Sequence, residues 1–173
     1  VWVGPAAEAR LAARRRTMAG PVGCGLCGID SIDQALREVA QVAHSDFRMT
    51  PTDVRAAVAA LPGEQRLHDA TRAVHCAALW GPLGILAARE DVGRHNALDK
   101  LAGHLARGPA EDGAVVLTSR VSIDLVQKVA AMGKGMLIAV SAPTADAVAL
   151  AEHAGITLIA LARPDRFEVF THS

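Results

Sequence analysis

Apolar residues follow two rhythms along the second half of this chain. From residue 71 onward, short apolar runs alternate with stretches of about ten residues in which apolar positions recur every three or four. A short run bounded by Gly, Pro or charged residues reads as a strand, and the wider spacing reads as a helix. Strands are expected over 74–80, 85–88, 114–118, 136–140, 156–161 and 167–171. Gly81-Pro82-Leu83-Gly84 would turn the first strand back into the second as a hairpin. A helix with Ala97, Leu98, Leu101 and Leu105 inward is expected after a polar loop at Glu90-Asp91-Val92-Gly93-Arg94. A second would run from a Ser122 cap to Gly133, and a third from Ser141-Ala142-Pro143-Thr144 to Gly155.

Ahead of residue 71 the pattern is helical. Residues 1–22 are rich in Ala and Arg and read as a short helix ended by Gly20-Pro21. Ser31 with Gln34 makes a capping box, and Ile32, Ala35, Leu36, Val39 and Ala43 continue at helical spacing, which predicts a helix over 31–43. Thr50-Pro51-Thr52-Asp53 opens another, with Pro at the first helical position, and Pro62-Gly63 ends it. A boundary or flexible excursion fits best within 44–70. The divisions are therefore an Arg-rich segment and cysteine loop at 1–30, a helical connection at 31–70 and a core at 71–173, with 31–173 forming one domain.

Strands alternating with helices place the chain in the α/β class, with helices on both faces of a sheet that the opening hairpin makes mixed. In such sheets ligands sit beyond the carboxyl ends of the strands. Those ends carry Glu90–His95, Ser119–Ser122, Ser141–Thr144 and Ala162–Arg166. All are polar or charged, so a shared site there is set against plain solvation. The 173 residues suffice for one domain with a proper core. Only 3% are aromatic, so that core must be built from Ala, Val, Leu and Ile. Net charge is zero, which gives no reason to expect nucleic acid. No run is apolar enough to span a membrane and no signal peptide is evident, so the cytoplasm is the expected location. The chain opens on Val rather than Met, as a fragment or processed product would.

The chemistry centres on Gly23-Cys24-Gly25-Leu26-Cys27-Gly28. Its glycines leave the backbone free, so it reads as a mobile loop carrying two thiols. Arg10, Arg14, Arg15 and Arg16 lie just upstream, and positive charge favours the thiolate, which is both nucleophile and metal ligand. The paired cysteines could be half of a zinc site completed by Cys76 with His75, His44 or His68. They could be a redox dithiol, or a nucleophilic, sulfur-handling pair. The dithiol reading wants a strand before Cys24 and a helix directly at it, and neither is evident. His75-Cys76 inside an apolar strand reads first as core. Arg94-His95, between Gly93 and a helix start, is suited to an anion.

Taken in order, these motifs resemble the formate dehydrogenase accessory sulfurtransferase family, FdhD. They are Arg14-Arg15-Arg16 before the cysteine loop; Val74-His75; the run Glu90-Asp91-Val92-Gly93-Arg94-His95-Asn96-Ala97-Leu98-Asp99-Lys100; Ser119-Arg120-Val121-Ser122 with Leu125-Val126-Gln127-Lys128; Ala139-Val140-Ser141-Ala142-Pro143; and Thr171-His172. The resemblance implies a three-layer α/β/α domain with a mixed sheet, similar to cytidine deaminases, and a further N-terminal domain that this chain lacks. It implies that a cysteine desulfurase loads sulfur as a persulfide on Cys24, with Cys27 as companion. That sulfur would pass to the molybdenum bis(guanine dinucleotide) cofactor, the bound acceptor, on its way to formate dehydrogenase. The family's cofactor loop matches Leu161-Ala162-Arg163-Pro164-Asp165-Arg166, and Arg94, His95, Ser119, Arg120, Ser141 and His75 complete the expected binding set. A guanine nucleotide is expected to mimic the ligand, a homodimer is the expected assembly, and no resident metal is expected. Arg72, Cys76 and Asp165 stand where the family often has Gly, Ala and Gly. A cofactor-binding chaperone without catalysis, and a zinc protein of deaminase-like fold, are the competing readings. The second lacks a His-x-Glu ahead of the cysteines.

Overall fold

The computed structural model describes residues 39, 41–43, 45–109 and 111–172. Helix α1 (Pro51–Ala60) starts as its sequence suggests. The Thr50 hydroxyl accepts from the Asp53 N–H at 3.3 Å, and the Asp53 carboxylate accepts from the Thr50 N–H at 2.7 Å. A 3-10 turn (Leu61–Glu64) and a six-residue helix α2 (Arg66–Thr71) follow. Residues 39 and 41–43 are not helical, so the helix expected to reach residue 43 does not. Instead the Val42 N–H donates to the Ala154 carbonyl at 2.9 Å, a bond to another element in place of a helical one. The rest of that expected helix and the one at 1–22 lie outside the described residues.

The sheet has six strands: β1 (His75–Gly81), β2 (Gly84–Asp91), β3 (Ala114–Leu117), β4 (Met136–Ala139), β5 (Thr157–Ala160) and β6 (Glu168–Val169), in the order β2-β1-β3-β4-β5-β6. β3, β4 and β5 are parallel, while β1 runs against both β2 and β3, and β6 runs against β5. β2 through β5 therefore all end on the same edge, and β1 begins there. β2 extends through Glu90 and Asp91, which the charge pattern predicts to be loop. Both residues pair with β1, at Cys76 and His75. β6 is shorter than the expected 167–171. Thr171 is instead buried, donating to the Ile156 carbonyl at 2.6 Å and accepting the Leu158 N–H at 2.8 Å.

Helices α3 (Arg94–Leu105), α4 (Ile123–Ala131) and α5 (Ala145–Ala154) cover one face of the sheet. Leu98, Leu101, Leu125, Val129 and Ala151 pack there against Leu79, Val115, Leu137 and Leu158. α1 covers the other face, where Val54, Val58 and Leu61 meet Cys76, Val116, Ile138 and Ile159. The result is three layers, α/β/α. Burial on both faces explains why β3 and β4 are unbroken apolar runs and why β5 is apolar after Thr157. Ser122 holds the N-cap position of α4, but its hydroxyl makes no capping bond, contrary to expectation. The Oγ is buried without a hydrogen-bond partner.

Candidate functional site

Several side chains of the long polar run 90–100 hold the fold together. The Glu90 carboxylate accepts the N–H groups of Leu67 and His68, each at 2.8 Å, which caps α2 from outside. Asp91 accepts the Gly93 N–H at 2.9 Å and the Asn96 amide at 3.1 Å, and pairs with Lys100 at 2.5 Å. Lys100, and with it the Gly93 and Asn96 donors, holds the Asp91 carboxyl well below the usual range, at about 2. Lys100 also donates to the Glu90 carbonyl at 3.1 Å. Asp99 pairs with Lys128 of α4 at 2.6 Å. Arg94 and His95 stand at the first turn of α3.

His75 sits opposite Asp91, at the start of β1 and thus on the edge where β2 and β3 end. It is half-buried, and its pKa is lowered, first by burial and then by the charges of Arg94, His68 and Arg120. His75, Arg94 and Arg120 therefore lie close together although up to 45 residues separate them in sequence. His95 is also lowered, by burial and by Arg94, while the Asp124 carboxylate acts the other way.

The 161–166 loop follows β5 on the same edge. Leu161 takes a left-handed φ of 52°, and its N–H donates to the Ser141 carbonyl at 3.3 Å. Ala162 is fully buried and donates to the Ala139 carbonyl at 3.1 Å. The Arg163 guanidinium donates to the carbonyls of Val140 and Ala162, so it ties the loop to the end of β4. The Arg163 N–H closes a tight turn onto the Arg166 carbonyl at 2.7 Å. Arg166 extends outward beside Asp165 at 3.7 Å, both more than 70% exposed. Behind the loop, Phe167 packs beside α1 with the Arg55 guanidinium 6.0 Å from its ring centre. Ser119 is buried with its hydroxyl donating to the Arg120 carbonyl at 3.1 Å.

The structure thus brings His75, Arg94, His95, Arg120, Ser141 and the 161–166 loop to one edge. Neighbouring strands lie about 4.8 Å apart, so the five strand ends from β2 to β5 span roughly 19 Å. Among the described residues no exposed thiol lies there. Cys76 is buried in β1, and burial, with Glu90 adding to it, pushes its thiol up to about 12. Among the described residues no group of His, Cys, Asp and Glu could hold a metal ion, and no helix is long and apolar enough to cross a membrane. Cys24, Cys27 and the upstream arginines lie outside the described residues.

The model of the FdhD/NarQ family matches residues 1–173. The chain belongs to that family. It is 54% identical over 166 residues to a sulfur carrier protein FdhD from Agrobacterium fabrum, covering 94% of this chain and 61% of that relative. It is 46% identical over 175 residues to the protein of the same name from Bordetella bronchiseptica, covering 99% and 63%. The chain thus spans about three-fifths of the length of these curated relatives. Among solved structures, it is similar to a crystal structure described as a candidate formate dehydrogenase accessory protein from Desulfotalea psychrophila. The TM-score is 0.74 at 32% identity, over 81% of this chain and 60% of that one.

Two residues at the edge carried no functional signal in the sequence. Thr118 donates to and accepts from the Cys76 backbone, at 3.4 and 2.9 Å, which locks β1 to β3 beside His75. Asp124 lies in the first turn of α4, four residues before Lys128. That spacing marks a shared helix face but says nothing of what the face meets.

Proposed function

We propose that this chain serves as a sulfur carrier and transferase for formate dehydrogenase maturation. Cys24 takes sulfur from a cysteine desulfurase, and the carboxyl edge of the sheet holds the molybdenum bis(guanine dinucleotide) that receives it. The observation that carries the reading is the gathering of His75, Arg94, Arg120 and the 161–166 loop on one edge, in a chain of the FdhD/NarQ family. Arginine guanidinium groups and helix N-termini are the donors a polyphosphate needs. A span of roughly 19 Å suits an extended dinucleotide better than a single phosphate.

Loading at Cys24 is a thiol exchange. The Cys24 thiolate attacks the outer sulfur of the desulfurase persulfide, the S–S bond breaks, and the desulfurase cysteine leaves as thiolate. The arginine-rich approach at 10–16 favours the attacking anion. The buried, protonated thiol of Cys76 supports giving that role to the paired cysteines. The acceptor is cargo, held by Arg166, Arg120 and Arg94 with the backbone of the 161–166 loop. His75 and Ser141 flank it. Cys27 is Cys24's companion in the relay, and the working assembly is a homodimer in the cytoplasm.

Intact-mass measurement after incubation with a cysteine desulfurase and cysteine tests the reading. A gain of one sulfur that Cys24→Ala abolishes and Cys76→Ala preserves is the expected result. An adduct that survives Cys24→Ala and disappears with Cys76→Ala would refute the assignment. Tightly held zinc lost on Cys24→Ala would favour a structural metal. A Cys24→Ala chain that binds guanosine diphosphate normally and still supports sulfuration would make the protein a cofactor chaperone.

A further inference from the structure

Helices α3 and α4 both begin at the carboxyl edge and run side by side on one face of the sheet. Their seam is in register. Lys128 of α4 pairs with Asp99 of α3 at 2.6 Å and donates to the His95 carbonyl at 3.4 Å. One turn nearer the edge on each helix stand Asp124 and His95. Asp124 therefore faces the first turn of α3, as Lys128 faces the second.

Among the fully buried polar atoms without a hydrogen-bond partner at this end of the seam are His95 Nε2, Asp124 Oδ2 and Ser122 Oγ, with Arg94 Nε beside them. A buried polar atom left unmatched forfeits its hydration with nothing in return. Three at adjacent helix starts have complementary needs. Neutral imidazole offers one N–H, a carboxylate accepts, and a hydroxyl does both. A direct bond, or one bridging water with these three partners, satisfies them together.

We propose that Asp124, with Ser122, is a positioning residue for His95. It holds the buried Nε2–H edge of the ring and so fixes the tautomer that leaves Nδ1 as a proton acceptor. This rests on the carboxyl-edge site proposed above, because there a histidine of fixed tautomer could serve the relay. The charged groups acting on the ring are Arg94 and Asp99 of α3, and Asp124 and Lys128 of α4. Burial and Arg94 keep it neutral at physiological pH, while Asp124 pulls its pKa upward.

Nitrogen NMR of the full chain labelled in its histidine rings reads tautomer and titration together. The wild-type His95 ring is expected in the Nε2–H form, unlike the exposed rings of His104 and His153, which average between forms. In Asp124→Asn the His95 titration midpoint should fall by about one pH unit. Asp124→Glu should restore most of the difference. A tautomer-averaged wild-type ring overturns the proposal without any variant. So does an Asp124→Asn protein in which His95 titrates unchanged. The measurement uses no sulfur donor, so failure of persulfide loading at Cys24 leaves its outcome intact, and the converse holds as well.

Discussion

The Glu90 carboxylate caps a helix 22 residues away in sequence, accepting the N–H groups of Leu67 and His68 at 2.8 Å each. α2 is only six residues long and has no side-chain cap of its own. A helix that short does not persist in water without tertiary support. Glu90→Ala should therefore destabilise the protein by about 0.5–2 kcal/mol, the range for losing a cap. Urea unfolding measures this, and an unchanged midpoint would show that α2 is held by other contacts. Persulfide loading at Cys24 should be untouched.

Asp91 makes acid sensitivity a second expectation. Its folded pKa is about 2, against an ordinary value of 3.8. A depressed carboxyl pKa contributes stability above the unfolded value and loses it as pH falls through the folded one. Stability should thus drop between roughly pH 4 and pH 2. Asp53, lowered by its side-chain and backbone bonds to Thr50, adds to the same drop. Asp91→Asn should flatten the pH dependence without abolishing it. Urea midpoints across that range decide the matter, and an identical slope in the variant would exclude Asp91.

The buried thiol of Cys76 should be chemically silent in the folded protein. Burial raises its pKa to about 12, so almost no thiolate exists at pH 8. Alkylation followed by peptide mass analysis should find Cys76 unmodified in the native chain and modified in urea. Rapid native labelling of Cys76 would contradict its burial.

Two arginines of one loop should behave differently. Arg163 spends its guanidinium on the carbonyls of Val140 and Ala162, whereas Arg166 is 76% exposed beside Asp165. Arg166→Ala should weaken guanosine diphosphate binding by about 10- to 100-fold, the loss of one charge-assisted bond, with little change in stability. Arg163→Ala should lower both binding and melting temperature, because it loosens the loop itself. Calorimetric titration and thermal unfolding separate the two. Equal affinities for wild type and Arg166→Ala would remove this residue from the site.

Local patterns carried much of this protein. The Thr50–Asp53 capping box, Pro51 at the helix start and Gly155 at the end of α5 are short-range signals, since a cap involves atoms three or four residues apart. The apolar runs of β3 and β4, and of β5 after Thr157, declare strands covered on both faces. Motif order along the chain is enough to suggest the FdhD family. Polar residues at the strand ends lie along the edge on which β2, β3, β4 and β5 end.

What only the tertiary structure decided is which of those polar residues serve the fold. Glu90 and Asp91 read as loop because their charges broke the apolar pattern, yet both belong to β2 and spend their carboxylates on helix starts. His75 came to the edge because β1 runs against its neighbours, and strand direction is not written in a two-residue periodicity. Asp124 acts on His95 electrostatically because two helices 18 residues apart lie side by side on the sheet. Such pairings depend on where the chain returns in space. Sequence spacing sets the face a side chain occupies, and packing of the whole core sets what that face meets.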